Sequence, residues 1–239
     1  YLTSIAACAY NTAVKKMKTL KTITIYALKR GYLLQDPFLD HHFHLNPVDR
    51  GFLTDEEIVC IANKKIEIPR LELVRDLFIF SCFTGLAYID VANLRREHLV
   101  MMDDKAWIMT RRQKTNIESN VLLLDIPKTI IAKYCNNSNY PSRDGKLFPI
   151  LSNQKMNAYL KEIADLCGIK KNLTFHLARH TFATMSLSKG VPMESVSKML
   201  GHTNIKTTQI YARITNKKIE HDMEELAGKL GKFNNAMGI

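Results

Sequence analysis

From residue 54 onward the chain is a succession of apolar segments at helical spacing, closed by glycine or proline, and this pattern leaves room for only one small sheet. Thr54-Asp55-Glu56-Glu57 has the form of a capping box ahead of an apolar run, so a helix starts there. Pro69 opens a longer helix over 70–83, whose Leu, Phe and Ile content predicts burial. Past Pro127 helical patterns dominate, at 128–135, 152–167, 177–188, 193–200, 207–214 and 217–230. Gly168, Gly190 and Gly201 stand where C-terminal caps belong. Only 106–110 and 121–124 read as strands, and the polar residues 111–120 between them predict a hairpin with a long turn. The expected fold is mainly α with a small antiparallel β-sheet (α+β).

The first fifty residues differ in character. Residues 6–20 and 23–33 carry two helical patterns, with Lys15, Lys16, Lys18, Lys21, Lys29 and Arg30 on the remaining positions. Those lysines fit a solvated face and a DNA-facing one equally well, because spacing does not separate the two. Residues 37–50, with His41, His42 and His44, read as a linker; no cysteine or carboxylate pair completes a metal set around the histidines. The division is therefore drawn at residue 50: a helical segment plus linker over 1–50, a second domain over 51–239.

Composition narrows the function classes. Lys and Arg number 34 against 23 Asp and Glu, a net charge of +11, which favours nucleic acid or another anionic partner. No run approaches the ~18 apolar residues of a membrane span, and residues 2–9 lack the basic flank and cleavage pattern of a signal peptide. Cys8, Cys60, Cys82, Cys135 and Cys167 form no C-x-x-C pair; they read as reduced core residues of a cytoplasmic protein. The chain begins with Tyr1 rather than Met, which reads as a fragment of something longer.

Three stretches carry chemistry: Arg111-Arg112-Gln113-Lys114-Thr115, then Thr174 to Thr181 with His176, Arg179 and His180, then Leu200-Gly201-His202 followed by Tyr211. His176 and Arg179, three apart, adjoin over one helical turn. Gly201 ends a helix and leaves His202 at a loop facing a ligand. Tyr211 follows Thr207, Thr208 and Gln209, a polar setting for a phenol. Each alone is ordinary, since a helical histidine is most often packing and an Arg-Arg pair a solvated turn. Together they supply cations, proton carriers and one nucleophile, with no acidic metal-binding cluster among them.

In this order and spacing the stretches resemble the tyrosine recombinase (phage integrase) family, most like integrases of bacterial mobile elements and conjugative transposons. The resemblance runs from Phe83-Thr84-Gly85-Leu86 through Lys114-Thr115 and His176-x-x-Arg179-His180-Thr181-Phe182-Ala183-Thr184 to Leu200-Gly201-His202 and Tyr211. It implies a catalytic domain over 51–239, preceded by the end of a helical core-DNA-binding domain. Tyr211 would attack a DNA phosphodiester, giving a 3′-phosphotyrosyl link and a free 5′-hydroxyl. His176 would be general base or phosphate ligand, Arg179 and His202 would bind the scissile phosphate, and Lys114 would protonate the 5′-oxygen. It also implies double-stranded DNA as partner, a homo-tetramer on that DNA, a DNA-bending accessory protein and association with the nucleoid.

Physical chemistry fits those roles. A tyrosine, with an ordinary pKa near ~10, needs a base or cations to become a nucleophile. Arginine suits the charge gathering on the non-bridging oxygens, because its planar fork bonds two at once. Fixed cations take the place of a metal, and the covalent link conserves the phosphodiester energy, so neither a metal, ATP nor another cofactor is expected.

One departure stands out: where the family usually has arginine after Thr-Gly-Leu, this chain has Ala87. Arg112 is the expected replacement, since residues two apart in an extended segment share a face and Arg112 would lie beside Lys114. Arg111 would then point to the opposite face, toward solvent or the DNA backbone. Two other functions remain compatible with the residues: a catalytically impaired DNA-binding regulator of the same fold, which Ala87 permits, and type IB topoisomerase-like relaxation.

Overall fold

The structure, a computed structural model, describes residues 3, 7–46, 51–135, 145–211, 219 and 222–230, and divides into two compact units, Tyr1–Asp49 and Arg50–Ile239. In the first unit the two expected helices are one, α1 (Tyr10–Lys29). Neither glycine nor proline lies between Leu20 and Ile23, so nothing interrupts the hydrogen-bond ladder there. Ala13 and Val14 are its buried residues, and Lys15, Lys16 and Lys18 are exposed.

The second unit opens as its sequence dictates. Thr54 Oγ1 accepts the Glu57 N–H at 3.2 Å, and Glu57 Oε2 accepts the Thr54 N–H at 2.8 Å, starting α2 (Asp55–Asn63). Pro69 occupies the first turn of α3 (Pro69–Thr84), where its missing N–H costs nothing. Leu71, Val74, Leu77, Phe78, Phe80 and Cys82 of α3 are all buried, because α2, α5 (Asp125–Cys135), α6 (Asn153–Cys167) and α7 (Phe175–Ser188) surround it. Each large apolar side chain so buried contributes about 1.5–3 kcal/mol over its exposed state. The one carboxylate on that helix's inner side, Asp76, is satisfied by Lys133 Nζ at 2.6 Å, Tyr134 OH at 2.8 Å and Arg75 at 2.7 Å.

Two short elements escape sequence reading: α4 (Tyr88–Ala92) and a 3-10 turn, Arg96–His98. They lead into a three-stranded antiparallel sheet, β1 (Leu99–Met102), β2 (Lys105–Arg111) and β3 (Glu118–Leu122), paired in that order. The strand β1 was not anticipated; Leu-Val-Met-Met has no alternation to mark it. Ile108 pairs with Val121, both buried, and Arg111 with Glu118 beside the turn. The hairpin turn is tighter than 111–120: Arg112 N–H donates to Ile117 O and Asn116 N–H to Arg112 O, both at 2.8 Å.

The cysteines also differ from expectation. Only Cys82 is a core residue; Cys60 is exposed, and Cys8, Cys135 and Cys167 are half-buried, all five as free thiols. Among the described residues no helix is long and apolar enough to cross a membrane. Of the expected segment 207–214, α9 (Lys206–Gln209) forms the start, and 212–214 lie outside the described residues. Of 217–230, residues 222–230 are helical and exposed.

Candidate active site

Thr174 starts α7 by accepting the Leu177 N–H on its side chain at 3.2 Å, and the helix so begun carries His176, Arg179 and His180. Arg179 faces inward and is 3% exposed. Its Nη1 donates to Gly85 O at 2.6 Å; its Nη2 donates to Leu200 O at 2.5 Å and to His202 Nε2 at 3.1 Å. Gly85 caps the C-terminus of α3, and Leu200 that of α8 (Met193–Met199), so the guanidinium sits where two helices present their last carbonyls. Gly85 must be glycine: its φ is +69°, and a Cβ there would lie 2.4 Å from Phe182 Cδ1. Burial, then the neighbouring Arg112, pushes Arg179 down to about 10, which still leaves it a cation at neutral pH; interactions with Tyr211 and Asp90 act the other way.

After α8 the chain reverses through Gly201, at φ +57°, and His202 N–H bonds back to Ser197 O at 3.0 Å. That closure delivers the His202 ring to Arg179, with its Nδ1 2.8 Å from Thr208 Oγ1. Burial first, then Arg179 and Arg112, pushes His202 from 6.5 down to about 4. The folded protein thus keeps His202 neutral where the unfolded chain would bind a proton. Its contribution to stability is whole above pH 6.5 and is lost as pH falls toward 4. We expect Tm to drop between pH 7 and 5, and His202→Gln to drop less over the same interval; partial exposure of the ring trims the effect. Thermal melts of both proteins across that range check it.

Tyr211 is buried at 6% exposure, in the turn after α9, with its N–H on Thr208 O at 3.0 Å. The edge of His180 meets it at 4.8 Å between centroids and 87°, and the His202 ring lies parallel to it at 6.3 Å and 14°. His180 Nε2 in turn faces His176 Nε2 at 2.9 Å, so one donates and the other accepts.

The structure therefore gathers His176, Arg179, His202 and Tyr211 within one cluster, with His180 and Thr208 in support. Arg112 joins them. It is 9% exposed, its Nη1 donates to Gly201 O at 3.2 Å, and a Cβ on Gly201 would meet its Cδ at 2.5 Å. Lys114 is different: it stands exposed in the hairpin turn and, among the described residues, has no hydrogen-bond or ion-pair partner. The alternation expected to align Arg112 with Lys114 is broken by the turn that begins at Arg112. Arg111 is exposed and pairs with Glu118 at 2.8 Å, while Lys15, Lys16 and Lys18 belong to the first unit.

Residues 52–218 match the phage integrase family. The chain belongs to that family. Among its relatives are the tyrosine recombinase XerA of Pyrococcus furiosus, 28% identical over 72% of this chain and 60% of that protein, and a tyrosine recombinase of Agathobacter rectalis, 26% identical over 85% and 72%. The chain thus spans about three fifths of the Pyrococcus protein's length. By shape it resembles the Tn1549 transposon integrase in complex with a circular intermediate DNA, with a TM-score of 0.73, 17% identity, and coverage of 93% of this chain and 82% of that one.

Against the expected pattern, residue 87 departs. Ala87 caps the start of α4, its carbonyl accepting the Asp90 and Val91 N–H groups, and its methyl offers no charge. Three residues on, Asp90 is buried, with Oδ1 accepting the Gln113 N–H at 3.1 Å and Oδ2 lying 3.6 Å from Arg112 Nε. Both Oδ2 and Nε lack a hydrogen bond. A carboxylate this buried is stable only beside a cation. Asp90 thus faces the hairpin arginine across a gap too long for a hydrogen bond, and the residue beside Leu86 supplies no charge of its own. Sequence reading passed over Asp90; the signal that could have found it is an acid three residues after Ala87.

Proposed function

We propose that the unit from Arg50 onward is the catalytic domain of a site-specific DNA recombinase, cutting and rejoining DNA through a phosphotyrosyl intermediate. The observation that carries this reading is the convergence of two buried guanidiniums, Arg179 and Arg112, and the His202 ring around Tyr211. Asp90 offsets only part of this positive charge, and a phosphodiester is an anion that the guanidinium forks match. Tyr211 Oη attacks phosphorus, its proton passing to His176, which shares a hydrogen bond with His180. Arg179, Arg112 and His202 stabilise the non-bridging oxygens. Lys114, exposed on its turn, approaches with the DNA and protonates the departing 5′-oxygen. The first unit, with its exposed lysines on α1, forms the end of a core-DNA-binding domain. The reaction needs no metal, ATP or other cofactor, and the protein acts in the cytoplasm on the nucleoid, with a DNA-bending protein assisting.

A duplex built from the DNA flanking the gene, nicked beside the scissile phosphate, tests this directly. The chain is expected to accumulate a covalent protein–DNA adduct in salt without divalent metal. Salt-dependent binding with no adduct would instead make it a DNA-binding regulator, and relaxation of supercoils by the monomer would make it a topoisomerase.

For the tetramer, the support is the helical stretch 222–230, where Met223, Leu226 and Leu230 are all at least 41% exposed, as is Ile219. An apolar face of this kind needs a partner, and a neighbouring copy on the same DNA supplies one. Replacing Met223 and Leu226 by serine should weaken pairing of two DNA sites more than binding to one; equal losses in gel-shift assays would refute this.

A further inference from the structure

We propose that Thr208 is a positioning residue that sets which nitrogen of His202 carries the proton, and that its hydroxyl reverses role when the scissile phosphate enters. The proposal rests on the recombinase reading for the identity of that phosphate. The geometry of the free site stands by itself. A guanidinium has only donors, so the 3.1 Å contact of Arg179 Nη2 with His202 Nε2 requires a lone pair on Nε2. A neutral imidazole has one N–H, which must then be on Nδ1, and it donates to Thr208 Oγ1 at 2.8 Å. The ring is neutral at physiological pH because burial and two nearby arginines hold its proton affinity down.

That tautomer is the wrong one for binding an anion. Phosphate oxygens only accept hydrogen bonds, and Nε2, the nitrogen turned toward Arg179, has no proton to give. When a phosphate draws the donors of Arg179 to itself, Nε2 loses its partner. One proton then leaves Nδ1 for solvent and one is taken up at Nε2, so the charge of the ring is unchanged. Nδ1 becomes an acceptor, and the Thr208 hydroxyl, by rotating about Cβ–Oγ1, becomes its donor. A hydroxyl alone among uncharged groups of that size serves both states. Thr208 is fully buried, so water does not stand in for it. It also belongs to the turn that carries the nucleophile, its carbonyl accepting the Tyr211 N–H at 3.0 Å.

The test has two arms. Histidine-labelled protein, with the His202 signals assigned by His202→Gln, reports protonation at each ring nitrogen through 15N shifts. Free protein is expected to show Nδ1–H, and a Tyr211→Phe chain bound to the intact flanking duplex is expected to show Nε2–H. An Nε2–H ring in free protein, or the same tautomer in both states, overturns the proposal. In the second arm Thr208→Val should slow adduct formation on the nicked duplex by roughly 10- to 100-fold, the loss usual when the partner orienting a working imidazole is removed. Duplex affinity should hold, and Thr208→Ser should restore most of the rate. Parental rates in the valine variant, or no rescue by serine, overturn it. Should valine fail to fold, serine and the 15N arm still decide. If the parental chain never captures DNA, the recombinase reading fails, while the 15N arm, which needs only binding, still judges the role of Thr208.

Discussion

Tyr211→Phe should abolish the covalent adduct and leave duplex binding almost unchanged. The substitution deletes one oxygen and keeps the ring. The hydroxyl's hydrogen bond with Arg179 is lost, but the edge of His180 at 4.8 Å and the parallel His202 at 6.3 Å are contacts of the ring itself, so the turn after α9 should keep its place. What disappears is the phenolic oxygen proposed to bond to phosphorus. Denaturing electrophoresis of the nicked-substrate reaction reads the first effect and gel shift the second. Adduct formation by the phenylalanine chain would move the nucleophile elsewhere. Tyr134 is a poor substitute, being buried with its hydroxyl on Asp76 at 2.8 Å, and Tyr159 lies beneath the Arg70 guanidinium at 4.4 Å. Tyr140 lies outside the described residues.

Arg112→Ala should cost about 3–4 kcal/mol of transition-state stabilisation, on the order of 100- to 1,000-fold in the cleavage rate, as for loss of an oxyanion donor. Arg112 is held by Gly201 O on one side and by Asp90 on the other, so its fork is positioned before DNA arrives. Its removal also leaves the Asp90 carboxylate buried without a cation, which lowers Tm. Arg112→Lys separates the two effects: it returns a charge to Asp90 but not the two-oxygen fork, and should recover Tm more than rate. Arg111→Ala, by contrast, breaks only an exposed pair with Glu118 and should weaken DNA binding modestly while sparing the chemical step. Single-turnover rates that match the parent in the Arg112→Ala chain would show that the arginine missing at Ala87 has no replacement in the hairpin.

Much of this was legible beforehand where local chemistry decides the outcome. Thr54 with Glu57, Pro69, and the glycines after α6 and α8 mark helix ends because each satisfies or removes a specific backbone group. The residues that gather around Tyr211 were legible through motif order. What escaped depended on contacts distant in sequence or on elements too short for a period. The four residues of β1 and five of α4 have no room for one. The role of Asp90 follows only from its meeting Arg112 across the hairpin, and those of His180 and Thr208 from which ring nitrogen faces which neighbour. The alignment of Arg112 with Lys114 failed for a related reason: a strand's alternation stops where its turn begins, and here β2 ends at Arg111.

The fit of Gly201 against Arg112 has a consequence for how domains of this family can be recombined with one another. A Cβ at residue 201 would overlap the Arg112 side chain at 2.5 Å, and the two residues lie on segments 89 positions apart. The β2–β3 hairpin is therefore not a portable cassette. Grafted into a relative with a bulkier residue after its helix α8, it would bring an arginine with nowhere to lie, and a relative's hairpin placed here would leave Asp90 facing an empty slot. Chimaeras that move the hairpin and the α8–α9 loop together should fold and cleave, whereas those that divide them should inherit the defects of both parents.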